Sequence, residues 1–158
     1  DVGILPIGNG GEWSPLLNTR ADETHSDISP DGQWIAYASN ETGITEVYVE
    51  RFPGLGLKTQ ISTGGGQSPQ WTPSGNEIIY RTLNAGAFMA VQIGSESTLT
   101  VGTPTVIADN YYALTSSYAF RIRMYDIFPD GERFLAFRET QDENRLIHVV
   151  LNAFRDLN

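Results

Sequence analysis

"SPDGQWIAYASNETGITEVYV", residues 29–49, holds a Pro-Asp-Gly turn, two runs of strand composition and a second polar break. The same pattern occurs three times. "HSDISPDGQWIAYAS" at 25–39 is followed by "SPQWTPSGNEIIYRT" at 68–82 and "MYDIFPDGERFLAFRE" at 124–139. In each, Pro30, Pro73 or Pro129 presets φ for the second turn position, and Asp31, Ser74 or Asp130 can bond the local backbone. Gly32, Gly75 or Gly131 then accepts dihedrals that a side chain resists. Each turn therefore predicts a hairpin. The polar breaks "NETG" (40–43), "LNAG" (83–86) and "QDEN" (141–144) lead into third strands, "ITEVYVERF", "AFMAVQI" and "RLIHVVLN". Two units continue into a fourth strand, near "LKTQIS" at 57–62 and "PTVIAD" at 104–109.

The units recur at 43 residues, from Pro30 to Pro73, and at 56, from Pro73 to Pro129. Four antiparallel strands at that period suit the blades of a β-propeller. A two-sheet sandwich is the alternative, but it has no need of one turn at one place in successive four-strand groups. The predicted fold is all-β: a β-propeller fragment of about three four-stranded antiparallel blades plus two N-terminal orphan strands, "GILPI" (3–7) and "WSPLLNT" (13–19). The expected divisions are 1–22 for strands of a preceding or swapped blade, 23–63 and 64–110 for two blades, and 111–158 for a last blade with an inserted loop. Aligned on the prolines, Ile28, Trp71 and Ile127 coincide, as residues packing on a neighbouring blade should, and the other face carries Asp27, Gln70 and Asp126. In the third unit the second strand reads as offset by one, with Phe134 and Phe137 standing where the first unit has Ile35 and Tyr37.

A chain of 158 residues is the size of one ordinary domain. Its 10 Lys and Arg against 19 Asp and Glu give a net charge of -9, which repels phosphate backbones and anionic lipid surfaces. Nucleic acid is thus not an expected partner. The absence of Cys removes disulfides, thiol nucleophiles and thiolate metal sites. No apolar run approaches the roughly 18 residues that span a bilayer as a helix. The start, "DVGILPIGNGG", has no signal-peptide pattern and no Met, and reads as a cut inside a longer chain or as an expression boundary; the ending "LNAFRDLN" reads as a natural terminus.

"SPDGQWIAYAS", "TPSGNEIIYRT" and "FPDGERFLAFR" resemble the TolB-type propeller repeats, shared with the propellers of prolyl-oligopeptidase-like enzymes: an apolar strand, S-P-D-G, then a [RKQ]-[WFI]-[ILV]-A-[YF] strand. "EVYVERFPG" at 46–54 and "IHVVLNAFRDLN" at the end are similar to the sensor propellers that follow the kinase domain of some bacterial serine/threonine kinases. The resemblance covers most of the chain. It implies a fold more than a chemistry, because the signature residues build turns and cores. It also implies a periplasmic or extracytoplasmic setting and, since such propellers have six or more blades, the C-terminal half of a ring. Half a ring exposes apolar flanks and unpaired edges, so a homodimer completing the ring is expected, with an N-terminal orphan strand finishing the last unit.

Reactive groups are few, and no catalytic residue, metal site or cofactor is expected. Neither His25 nor His148 sits in a metal or nucleophile motif, and His148 lies inside the apolar run "LIHVVL". His25 begins an innermost strand beside Glu23 and Asp27, a cluster able to hold a cation or ligand at a channel mouth, or simply a structural hydrogen-bond group. "TGGGQ" (63–67) and "GNGG" (8–11) lack the helix and Lys of phosphate loops and read as tight connections. "NET" (40–42) matches a glycosylation triplet but doubles as a hairpin turn. The longer third period places Tyr111, Tyr112, Tyr118 and Phe120 in "DNYYALTSSYAFR" (109–121), on the rim shared with Glu41, Glu139, Asp142 and Glu143. Tyr suits a recognition surface, although covering the open flank or the dimer contact is the preferred role for this loop. Arg121 and Arg123 are expected to pair with Asp27 or Asp126, or else to receive an anionic ligand. The function expected is non-catalytic recognition of a protein or small-molecule ligand, as the sensory part of a larger bacterial signalling protein. The alternative is the gating propeller of a prolyl-oligopeptidase-like serine peptidase without its hydrolase domain.

Overall fold

The structure, a computed structural model, describes residues 1–8, 10–84, 86–94, 99–109, 125–136 and 148–151. Among these residues there are strands and no helix. An N-terminal ribbon pairs β1 (Val2–Ile4) with β2 (Ser14–Leu17). The first full sheet runs β3 (Glu23–Ile28), β4 (Trp34–Ser39), β5 (Glu46–Arg51) and β6 (Thr59–Gln60) in chain order. The second runs β7 (Gly66–Trp71), β8 (Glu77–Thr82) and β9 (Phe88–Gly94), with β10 (Thr100–Val101) and β11 (Thr105–Ala108) both pairing with β9. The third comprises β12 (Tyr125–Ile127), β13 (Arg133–Ala136) and β14 (His148–Leu151). Every pairing is antiparallel.

The three Pro-x-Gly turns close alike. Gly32, Gly75 and Gly131 donate their N–H groups to the carbonyls of Ser29, Thr72 and Phe128 at 2.8, 2.9 and 2.9 Å, with φ of 69°, 72° and 69°. These left-handed values explain the glycines. The register that follows is also the same: Ile28 faces Ile35, Trp71 faces Ile78, and Ile127 faces Phe134. The one-residue offset expected in the third unit is therefore corrected. Phe134 is the counterpart of Ile35, Ala136 stands in the position of Tyr37, and Phe137 lies outside the described residues.

Alternation along each strand sends side chains to two different cores. In β4, Trp34 and Ala36 join Val47, Val49 and Ile61 against Trp71, Ile78, Tyr80, Val91 and Ile93 of the second sheet. Ile35 and Tyr37 turn the other way, onto Leu17 and the ribbon. The second sheet repeats this arrangement, its Ile79 and Phe88 packing on Tyr125, Phe134 and Ala136 of the third. Phe88 lies 5.0 Å from Tyr125 and 4.7 Å from Phe134, centroid to centroid, and the Tyr125 hydroxyl reaches the Ser68 and Ile79 carbonyls at 2.6 and 2.8 Å. The first two sheets thus each have two buried faces, which explains their near-continuous apolar runs.

A second repeat of geometry lies upstream of Pro30 and Pro73. His25 and Ser68, each five residues before its proline, have φ of 52° and 53° and sit in register shifts of β3 and β7. These bulges aim the next residues at the neighbouring sheet. The Asp27 carboxylate accepts the Trp71 N–H at 2.8 Å, and the Gln70 amide donates to Asp126 at 2.7 Å. Turns stack as well: a Cβ on Gly75 would meet the Pro30 ring at 3.5 Å, and one on Gly131 the Pro73 ring at 3.7 Å.

The first sheet's leading flank is less covered. Trp71 is 4% exposed whereas Ile28, its counterpart, is 48% exposed, and nothing stands within 4 Å of a Cβ built on Gly32. The two N-terminal strands pair with each other and pack on the first sheet through Val2, Leu16 and Leu17. Among the described residues of the chain, neither of them pairs with the third sheet.

Candidate functional site

The end of the molecule opposite the Pro-x-Gly turns carries a cleft of about 430 Å³ across the junction of the first two sheets. Asp22, Glu23, Thr24, Asn40, Thr45, Gln67, Leu83 and Asp1 line it. Asn40 follows β4 and locks the segment before β3: its Oδ1 accepts the Asp22 N–H at 2.9 Å, and its Nδ2 donates to Asp22 Oδ2 at 3.1 Å. These two hydrogen bonds engage the side chain that a glycan on the "NET" triplet would need. Thr19 then folds over the same turn, accepting the Ala21 N–H at 3.0 Å and donating to Glu23 Oε1.

Glu23 is the most enclosed carboxylate of the cleft, 3% exposed. Its Oε2 has no hydrogen-bond partner, and the α-amino group of Asp1 stands 3.9 Å away. Gln67, buried at the start of β7, contributes from the second sheet. At the outer rim Lys58 pairs with Glu41 at 2.5 Å and lies over the Tyr48 ring.

Other acidic groups near this end serve the fold. Glu46 is buried, accepting the Ser62 hydroxyl on Oε2 and the Gly65 N–H on Oε1 at 2.9 Å. Gly66 N–H reaches the Thr45 carbonyl at 2.9 Å, so "TGGGQ" is a structural connection, as its composition suggests. Toward the turn end, where Glu50 pairs with Ile35, the Glu50 carboxylate accepts the Tyr37 hydroxyl at 3.0 Å. Burial, and then the Glu50 charge, raise the pKa of that hydroxyl far above the ordinary phenol range.

The expected cluster of His25, Glu23 and Asp27 divides between three tasks. Glu23 lines the cleft, His25 occupies the bulge with Nδ1 3.0 Å from the Thr24 hydroxyl, and Asp27 latches the second sheet. Among the described residues no group of three or more His, Asp or Glu is placed to hold a metal ion. Tyr111, Tyr112, Tyr118, Arg121 and Arg123, with Glu139, Asp142 and Glu143, lie outside the described residues. Of the acidic partners expected for the arginines, Asp126 holds the Gln70 amide and its own neighbour's N–H, that of Ile127 at 3.0 Å. No motif in the sequence marks Asp22, Thr24 or Thr45, and the "NET" and "TGGGQ" patterns that hold Asn40 and Gln67 do not point to a cleft. The only available signal was their shared position at strand ends opposite the turns.

No protein-family profile matches the chain. The crystal structure of TolB from Acinetobacter baumannii superposes with a TM-score of 0.54 at 13% identity, over 90% of this chain and 32% of that one. The fold is that of a partial β-propeller. An uncharacterised protein of Agrobacterium fabrum is 28% identical over 89 residues, which are 56% of this chain and 30% of the relative. The chain therefore spans about a third of either protein, and its sheets are best described as propeller blades.

Proposed function

We infer that the chain is a TolB-type repeat module of non-catalytic function, which recognises a protein or small-molecule ligand at the rim opposite its Pro-x-Gly turns, as part of a larger bacterial signalling protein. One observation carries this reading: the cleft crosses a blade junction and gathers polar side chains from several strand ends, as binding sites on scaffolds commonly do. By contrast, the repeated geometry of the turn end is consumed in packing one blade on the next. The shared turn, register and bulge support membership of the TolB-type repeats, beyond the likeness of fold.

A second copy of the chain is the proposed partner for the bare leading flank. Ile28, the open space at Gly32, and the exposed Ile4, Leu5, Ile7 and Trp13 all lie where a preceding blade would pack. A blade with an x-Pro-x-Gly turn has the chemistry to fill it.

The recognition reading is tested by placing a photoreactive residue at Thr45 on the rim and, separately, at Glu132 on the turn end, in cells that express the protein naturally. Adducts confined to position 45 are expected. Equal labelling from both positions would overturn the assignment of the rim.

A further inference from the structure

We propose that the rim cleft binds a primary ammonium group, anchored by the Glu23 carboxylate. This inference rests on the reading of the rim as a recognition surface and names the chemistry of what it takes.

The argument starts from an imbalance within one side chain. Glu23 is 3% exposed, and its Oε1 is satisfied by Thr19, but its Oε2 accepts no hydrogen bond. Burying a carboxylate oxygen without a hydrogen-bond donor is unfavourable, since it has lost water and accepts no hydrogen bond in its place. A donor arriving through the cleft corrects this. The lining itself selects a cation: it contains the acidic side chains Asp1, Asp22 and Glu23, and neither Lys nor Arg.

The shape of the donor set favours ammonium over a metal ion or guanidinium. An ammonium presents three N–H donors from one compact centre. One carboxylate oxygen with neutral acceptors satisfies it, and Thr24, Thr45 and Gln67 line the same cleft. A divalent ion needs several charged or carbonyl oxygens converging at once, and a guanidinium prefers two coplanar oxygens of one carboxylate. Here Glu23 has only Oε2 to offer. A volume of about 430 Å³ leaves room for a short alkyl chain behind the charge, as from a lysine side chain or a peptide N-terminus.

The test uses the full chain and three short peptides: an N-acetylated Gly-Lys-Gly amide, the same peptide acetylated also on the lysine nitrogen, and a Gly-Gly-Gly amide with a free N-terminus. Binding is followed by amide shifts of Thr24, Thr45 and Gln67. Binding by the first peptide alone identifies a side-chain ammonium, binding by the third alone an N-terminal one, and binding by both the shared chemistry. Glu23→Gln should weaken binding at least tenfold, and the doubly acetylated peptide should bind at least tenfold more weakly. Thr45→Lys, which places a tethered ammonium at the cleft wall without disturbing Glu23, should abolish binding. It also serves if Glu23→Gln fails to fold. Unchanged affinity in a folded variant, or no binding by either amine, overturns the proposal. Rim binding independent of Glu23 sinks the ammonium anchor but leaves the recognition reading intact. Amine binding without rim adducts in cells does the reverse.

Discussion

The Asp27 carboxylate accepts the Trp71 N–H at 2.8 Å across the junction of the first two blades. This contact joins residues 44 positions apart in sequence and does so by a side chain that the bulge at His25 re-aims. Removing the acceptor leaves an inner-strand N–H without it. Asp27→Ala should cost about 1–2 kcal/mol in urea unfolding, and Asp27→Asn, which keeps an acceptor, less. Equal stability of the Ala variant and the parent would show that the latch is incidental.

The blade junctions predict a contrast between two tryptophans. Trp71 is buried between sheets, whereas Trp13 is 54% exposed beside Gly3 on the ribbon. Trp71→Ala should lose about 3–5 kcal/mol, and Trp13→Ala under about 1 kcal/mol. Similar losses at both sites would contradict the placement of the core.

Gly66 separates steric need from conformational need. A Cβ there would stand 2.4 Å from Ser62 Oγ and 2.7 Å from Ser62 Cβ. Ser62 has little freedom to yield, since its Oγ accepts the Val47 N–H at 2.8 Å and donates to Glu46. Gly66→Ala should destabilise by about 1–3 kcal/mol, while Gly54→Ala, with nothing within 4 Å, should be nearly neutral. Thermal melts of the two variants decide it.

Glu77 gives the molecule a pH signature. Burial raises its carboxyl pKa above the ordinary 4.5, partly opposed by the Gln92 amide that donates to it at 2.6 Å. The fold favours protonated Glu77, so its contribution is fully present below the unfolded value and is lost as pH rises through the higher folded value. Glu77→Gln should therefore gain stability over the parent at neutral pH, and the gain should shrink as pH falls toward 4.5. Denaturation midpoints that do not separate with pH would rule this out.

The bare flank around Ile28 makes association measurable. Light scattering on the isolated chain should give twice the 17.4 kDa chain mass. Ile28→Asp combined with Trp13→Asp should halve it, and a parent that is already monomeric would dismiss the second copy as partner.

The turns were legible because Pro, Asp or Ser, and Gly each act within four residues, and the hairpins they dictate fix the strands on either side. The third unit's register was misread because Phe137 looked like a match for Tyr37. Backbone pairing from the turn instead places Phe134 opposite Ile127, and only that pairing sets which side faces inward. Apart from Glu23, the cleft was not legible. Asp22 and Asn40 meet across 18 residues through side chains that elsewhere would merely read as turn formers, and Gln67 arrives from a different blade. Glu23 was noticed, but beside His25 and Asp27, whose bulge then directs them elsewhere.

The nesting of Pro30 on Gly75, and of Pro73 on Gly131, has a direction. Every blade offers a ring forward and a hollow behind, so the array has a head and a tail that differ in chemistry. Like ends gain nothing from meeting. Two copies can satisfy both ends only by joining head to tail twice, around a two-fold axis about which the blades would close.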